Sequence, residues 1–534
     1  MVSLGYARWM TSAPAPALEV PEARLPRQIS FIIGNEACER FSFYGMRNIL
    51  TAFLVGWLLM DVADEQARQA EAKDVFHLFV MGVYFFPLLG GWLADRWLGK
   101  YRTILWLSLV YCLGHLLLAI SETSKPGFYT GLFLIALGSG GIKPCVSAFV
   151  GDQFDRSNSH LARVVFDGFY WIINFGSFFA SLLIPLTLDA FGPSVAFGIP
   201  GALMFVATLI FWLGRHRYVN VPPTQRDPHG FLQVSRTALF ATRAGAGRPG
   251  LALAGFGGFL GLGALGTLPW LGIAVSICLA LVLVLVTFGA GVLMQLDRAR
   301  DLHPEEDVEG VRAVFRLLVI FALVTPFWSL FDQKASTWIL QAQDMGMPGW
   351  GWFTNASQMQ ALNPLLVMVL IPFNNLVLYP ALGRLGIRVT QLRRMTAGIA
   401  FSGISWIVVG AIQLSMDGGA NPSILWQTVP YALLTFGEVL VSATGLEFAY
   451  SQAPAKMKGV LMSFWSLSVT VGNLWVLLVN AAVKGEAVTS AIASTGIGVI
   501  SFQMFFFAGF ALLAALAFGL YARRYKMVDH YRPA

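Results

Sequence analysis

Charge is what this 534-residue chain has least of. Asp, Glu, Lys and Arg make up 12% of it, about half the quarter carried by soluble domains. So few charges cannot furnish a water-facing shell, and a soluble globular class is excluded. Histidine is scarce as well, seven in all. No Ser-His-Asp arrangement or metal-ligand spacing emerges, and HPEED near 303 reads as a loop, so a membrane enzyme is set aside. The four cysteines, Cys38, Cys112, Cys145 and Cys278, all fall in apolar stretches, which argues against a disulfide framework. The first 28 residues are rich in Pro and Ala and lack the apolar core of a cleaved signal peptide. Missing too is the alternation of apolar and polar residues that membrane barrel strands carry.

What is present is apolar: 56% of the residues are hydrophobic. Runs of roughly 20 apolar residues suffice to cross the hydrocarbon core as helices, and lipid leaves the backbone few other choices. Such runs lie near 29–59, 73–97, 101–121, 127–150, 164–188 and 195–214, then near 313–341, 352–384, 390–415, 424–451, 456–483 and 498–524. Two more fall between the sets, near 249–268 and 270–296. The expected fold is all-α and integral to the membrane, with 14 helices in the order six, two, six. Residues 1–28 form a first tail, 29–214 a first bundle, 215–312 a linker with two extra helices, 313–524 a second bundle and 525–534 a last tail.

Lys and Arg prefer cytoplasmic loops. With the N-terminus inside, those loops hold Arg96, Lys100 and Arg102; Arg215 through Arg248; Arg384, Arg388, Arg393 and Arg394; Lys456 and Lys458; and Arg523, Arg524 and Lys526. The outer loops hold only Arg68, Lys73, Lys125 and Lys484. Both termini are therefore expected in the cytoplasm, and the net charge of +7 faces lipid head groups rather than nucleic acid. Gly261, Gly263 and Gly266 spell a dinucleotide-type GxGxxG, but inside an apolar run they read as close helix packing.

An ionisable group inside a span marks a functional site by default. The acids are Glu36, Glu39, Asp332 and Glu438; the bases are Arg40, Arg47 and Lys143, with Lys334 nearer an end. Near-balance in number points to mutual pairing. Spacings of three, four and seven align Glu36, Glu39, Arg40, Tyr44 and Arg47 along one helical face. Glu36 precedes Arg40 by four, the favourable order for an ion pair, and the second carboxylate is left able to take a proton. Counting about 1.5 Å per residue sets Glu36, Glu39 and Lys143 at similar depth. The same count puts Arg47 and Asp332 both at roughly 27 Å, so this pair is a candidate gate. Tyr84, Asn174, Trp328, Asn363 and Glu438 fall near mid-depth, where they can hold a small zwitterion.

These residues sit in motifs that resemble the proton-dependent oligopeptide transporters. Glu36-x-x-Glu39-Arg40-Phe-Ser-Phe-Tyr44-Gly is similar to the ExxER signature of that family. In order follow GSGGIKPCVSAFVGDQF with Lys143, FDGFYWIINFGS with Asn174, FWSLFDQKASTW with Trp328 and Asp332, QMQALNP with Asn363, and GEVLVSATGLEFAYSQAP with Glu438. GGWLADRWLGKYR resembles the major facilitator loop, whose Asp95 is expected to lock helix ends and gate. The resemblance implies the major facilitator fold, two six-helix bundles around a central site, with the two extra helices of bacterial members. His77 matches a histidine of mammalian members and joins the proton relay on that reading. Departures are Phe43 in place of a tyrosine, Asn374 opposite Arg316 where mammalian members have an aspartate, and Phe331 where many bacterial relatives have a glutamate.

The resemblance further implies a symporter importing di- and tripeptides through the cell inner (plasma) membrane, as a monomer, driven by the proton gradient without a cofactor. Arg40 and Lys143 face the peptide carboxylate, the latter neutralising Glu438 when the site is empty. Asn174, Asn363 and Glu438 hold the amino terminus and backbone. Tyr44, Tyr84, Trp328, Trp465 and Ser468 line side-chain space. Glu36, Glu39, Arg40, His77 and Asp332 couple protons, and Arg47, Asp332, Lys143, Glu438 and Asp95 gate. The rival readings are a non-transporting nutrient receptor on the same scaffold and a relative that carries amino acids, nitrate or another anion.

Overall fold

The computed structural model describes residues 25–154, 159–223, 227–242, 247–351, 353–452 and 457–525. Most of the two expected tails, with Lys456 and Lys526, lies outside the described residues. Among those described every regular element is helical; the single β-contact is an isolated bridge between Gly346 and Ser423. Among the described residues, twelve helices are long and apolar enough to cross a membrane. The first helix, Ile29–Phe53, is long enough but interrupted by Glu36, Glu39, Arg40 and Arg47. One connecting helix, Pro249–Leu265, is apolar but shorter.

The first span packs on the fifth (Ser159–Phe191) and sixth (Pro193–Leu213), and the third (Lys100–Ile120) on the fourth (Lys125–Asp152) and sixth. In the second set, the seventh span (Glu305–Asp332) packs on the eleventh (Lys458–Val483) and twelfth (Val499–Arg524), and the ninth (Gln391–Asp417) on the tenth (Thr428–Glu438) and twelfth. The two bundles meet where the second span (Glu65–Phe85) lies along the eleventh and where the fifth meets the eighth (Leu362–Phe373).

Capping explains where several spans start. Asp64 accepts a hydrogen bond from the Ala67 amide, so the second helix begins at Glu65, well before the apolar run near 73. Its first turns, EQARQAEA, are polar and carry no apolar signal. Ser124 and Thr390 cap the fourth and ninth spans in the same way. Other spans are broken. The seventh ends at Asp332, turns through Gln333–Ala335, and resumes as Thr337–Gln343. The tenth opens into a π-helical turn, Val439–Ala443, directly after Glu438, an irregularity that recurs at functional sites. In the fourth span Pro144 withholds the N–H that would close the turn at Lys143.

Two features differ from the apolar pattern. The linker forms an amphipathic helix, Phe231–Phe240, whose Phe231, Val234, Ala238 and Leu239 pack with Val308, Val311 and Phe315 at the start of the seventh span. Of the three glycines in GxGxxG, only Gly261 meets the partner helix, at Val284 and Ala280, while Gly263 faces open space. Gly250 and Gly257 complete that close face: a Cβ on either would run into Gly291 or Thr287.

Candidate functional site

The first helix carries the central cluster. The Arg40 Nε donates to Glu36 Oε1 at 2.6 Å and lies 2.8 Å from Glu39 Oε2 without hydrogen-bond alignment. All three groups are buried. One guanidinium thus serves two carboxylates.

One helical repeat further along, Arg47 Nη2 donates to Asp332 Oδ1 at 2.8 Å, and the guanidinium also lies over the Phe76 ring at 5.2 Å. The matched depths of these two residues are a contact between the bundles. Asp332 is shared: Asn473 Nδ2 donates to its Oδ2 at 2.8 Å, and Asn473 Oδ1 meets His77 Nδ1 at 2.7 Å. Because the Asn473 amide donates to Asp332, its oxygen is the acceptor, so Nδ1 of His77 carries hydrogen. Nε2 meets Ser336 Oγ at 2.9 Å, and that hydroxyl also reaches the Gln333 carbonyl. With Nδ1 carrying hydrogen, Nε2 of the neutral ring accepts from the Ser336 hydroxyl.

Around that pair the bundles are stitched together. Thr51 donates to Ala335 O at 2.8 Å, Gln360 to Asn48 O at 2.8 Å, Asn355 to both Asp189 oxygens at 2.9 Å, and Thr470 to Met81 O at 3.3 Å. These bonds run from mid-depth to the face opposite the basic loops, here the far face. The far side is closed.

Toward the basic face the arrangement differs from expectation. Lys143 Nζ sits over the rings of Tyr84 at 4.3 Å and Phe43 at 4.7 Å, a cation–π cradle. Among the described residues no ion pair joins it to Glu438. Lys334 takes that place: its Nζ donates to Asn363 Oδ1 at 2.8 Å, and Asn363 Nδ2 donates to Glu438 and to Thr435. The cause is the break after Asp332, which turns Lys334 back over the Phe331 ring, 3.3 Å from its centroid. Tyr44 and Tyr170, from the opposite bundle, lie within electrostatic reach of Glu438.

The remaining predicted residues fall out variously. Trp328 and Trp465 pack edge to face at 6.0 Å. The Ser468 hydroxyl is turned back to Trp465 O at 2.6 Å, and the Asn174 amide to Tyr170 O at 2.9 Å. Asp95 is exposed and makes no ion pair among the described residues. The lock at that corner is Lys100 with Asp152, at 2.6 Å, because Asp152 ends the neighbouring fourth span. Phe43, where the family has a tyrosine, is buried and its ring carries the Lys143 ammonium. Arg316 is exposed while Asn374 is buried, and no bond joins them among the described residues.

A sequence model described as the POT family matches residues 101–494. The chain belongs to the POT family. Peptide transporter family 2 of Caenorhabditis elegans is 34% identical over 423 residues, 76% of this chain and 48% of its own length. Solute carrier family 15 member 2 of Danio rerio is 33% identical over 404 residues, 73% and 50% of the two chains. The chain spans about half the length of the curated relatives it matches. Among solved structures, an auto inhibited POT family peptide transporter is 67% identical, covers 95% of this chain and 99% of its own, and superposes with a TM-score of 0.93. The POT family transporter PepTSo is also 67% identical, with coverages of 95% and 100% and a TM-score of 0.92.

In this POT chain, sequence reasoning passed over Asn473, Tyr170 and Asp152, and named Lys334 only as a base near a span end. Asn473 had a signal: a buried amide belongs on the polar face of a span. Lys334 had none, since no Pro or Gly announces the break beside it.

Proposed function

We propose that this protein is a proton-coupled symporter that imports di- and tripeptides by alternating access, with its basic face and both termini in the cytoplasm of a cell whose plasma membrane it spans. On that orientation the far face is the outside, and the described state is closed outward. The observation that carries the reading is the placement of charges on the two bundles: Arg40 between two carboxylates on one, and Glu438 held by Asn363 and Lys334 on the other. A short peptide is a zwitterion of complementary polarity. Its carboxylate suits Arg40, whose planar fork meets two oxygens at once, with Lys143 adding charge. Its ammonium suits Glu438 and Asn363, displacing Lys334. Asn174 serves the backbone, and Tyr44, Tyr84, Trp328, Trp465 and Ser468 border the variable side chains. Reading the constant parts of a peptide permits many sequences.

Coupling follows from competition. A proton on Glu36 or Glu39 loosens its hold on Arg40 and frees the guanidinium for peptide. A proton on Asp332, whose second oxygen Asn473 and behind it His77 hold in place, unfastens Arg47 and favours opening outward. No step calls for a cofactor, and one chain holds the whole path, as a monomer requires. Reconstitution in liposomes with an imposed pH gradient is the test. Accumulation of a labelled dipeptide that collapses with a protonophore is expected. Binding without accumulation would instead identify a receptor, and accumulation of amino acids or nitrate but not dipeptide would identify a different substrate class.

A further inference from the structure

The second and eleventh spans carry matching polar stripes. On the second, Asp74, His77 and Met81 share one face by their spacing; on the eleventh, Thr470, Asn473 and Asn480 do, with Lys484 capping the helix end. They pair in register: Met81 O with Thr470, His77 with Asn473 at 2.7 Å, and Asp74 with both Asn480 and Lys484. The mouth of this zipper differs from its middle. Asp74 Oδ1 accepts from Asn480 Nδ2 at 3.0 Å and Oδ2 accepts from Lys484 Nζ, so both its oxygens are held by the opposite bundle. Asp74 is thus held by an amide and an ammonium of the opposite bundle at once.

We infer that Asp74 is a second latch of the far gate, outside Arg47–Asp332, which clamps the second span to the eleventh and must release before the far face opens. This rests on the alternating-access reading above. The two latches differ in exposure. The side chains of Arg47 and Asp332 are 7% and 4% exposed, whereas those of Lys484 and Asp74 are 52% and 30% exposed. The outer latch is therefore open to the far-side medium and weakened by its salt. The double hold also makes the latch asymmetric. Without Lys484, Asp74 keeps Asn480. Without Asp74, both holds are lost together.

The test is the distance between spin labels at Gln66 and Ala491, exposed positions at the far ends of the two bundles, in the full chain with its native cysteines replaced, in nanodiscs and without peptide. Lys484→Met is expected to move the closed-to-open ratio by about two- to fivefold, the range for an exposed pair. Asp74→Asn is expected to move it further. Asp74→Lys combined with Lys484→Asp should recover closed population relative to Asp74→Lys alone, which loss of folding would not produce. An unchanged distribution in Asp74→Asn, while Asp332→Asn lengthens the distance, overturns the latch and leaves the transport reading standing. No change in either variant overturns the alternating-access reading and the latch with it.

Discussion

Arg40 and Arg47 stand two helical turns apart on one helix, each buried and each paired with a carboxylate, yet they do different work. Arg40 finds Glu36 and Glu39 on its own helix; Arg47 finds Asp332 on the other bundle. The first pairing survives any rigid movement of the bundles, so only a proton or a ligand's charge alters it. The second joins the two bundles, so on the proposed alternating-access reading it breaks when the far side opens. Coupling one to the other needs no strain along the helix. It needs a proton to change the preferred partner at one place and a gate to feel that change at the other.

The most damaging change should fall on the intrahelical pair. Arg40→Ala leaves two buried carboxylates without their cation and the peptide carboxylate without its partner. Peptide binding by calorimetry should weaken by about 2–5 kcal/mol, the cost of truncating one member of a buried charged pair, and gradient-driven uptake should vanish. Near-normal binding would remove Arg40 from the peptide carboxylate.

The opposite wall sharpens the comparison, because Glu438 has no arginine. Acetylating the peptide amine should weaken binding by about 2–5 kcal/mol, the usual cost of truncating one member of a buried charged pair. Glu438→Gln should abolish most of the preference for the free amine rather than only lower affinity. Equal binding of free and acetylated dipeptide by the unmodified protein would refute the assignment.

At the gate, Asp332→Asn strands a buried arginine and should lower steady uptake by roughly tenfold or more, whereas Arg47→Asp with Asp332→Arg should recover part of it. Cysteines at the two positions should crosslink in the far-closed state. Failure to crosslink in any state would mean the contact is not visited in the membrane. The smallest effect belongs to the corner lock, Lys100–Asp152, which is partly exposed. Asp152→Asn should change stability by about 1 kcal/mol or less, read by thermal unfolding, with uptake near the unmodified level.

Much of this contrast is legible in the sequence. Helical spacing aligns Glu36, Glu39, Arg40 and Arg47, and a rise per residue brings Arg47 level with Asp332. Apolar length finds the spans. What escapes is whatever depends on a helix ceasing to be regular. Lys334 is assigned to a helix end because nothing in Gln333-Lys334-Ala335-Ser336 marks a turn, yet that turn delivers it to Asn363 and Glu438. The polar start of the second span hides Asp74, since a helix that outlasts the membrane carries no apolar signal. Asp95 draws attention through its motif, while the actual partner of Lys100 ends a different helix.

The central claim is that Glu36 and Glu39 couple protons without forming the gate. It is tested most directly by measuring, in the same proteoliposomes, pH-driven accumulation and equilibrium exchange of a labelled dipeptide for Glu36→Gln and Glu39→Gln. The account predicts that accumulation is lost while some exchange persists, since neutral side chains still permit the gate to cycle. Accumulation at the unmodified level in either variant, or loss of exchange together with accumulation in both while peptide binding is retained, would contradict it.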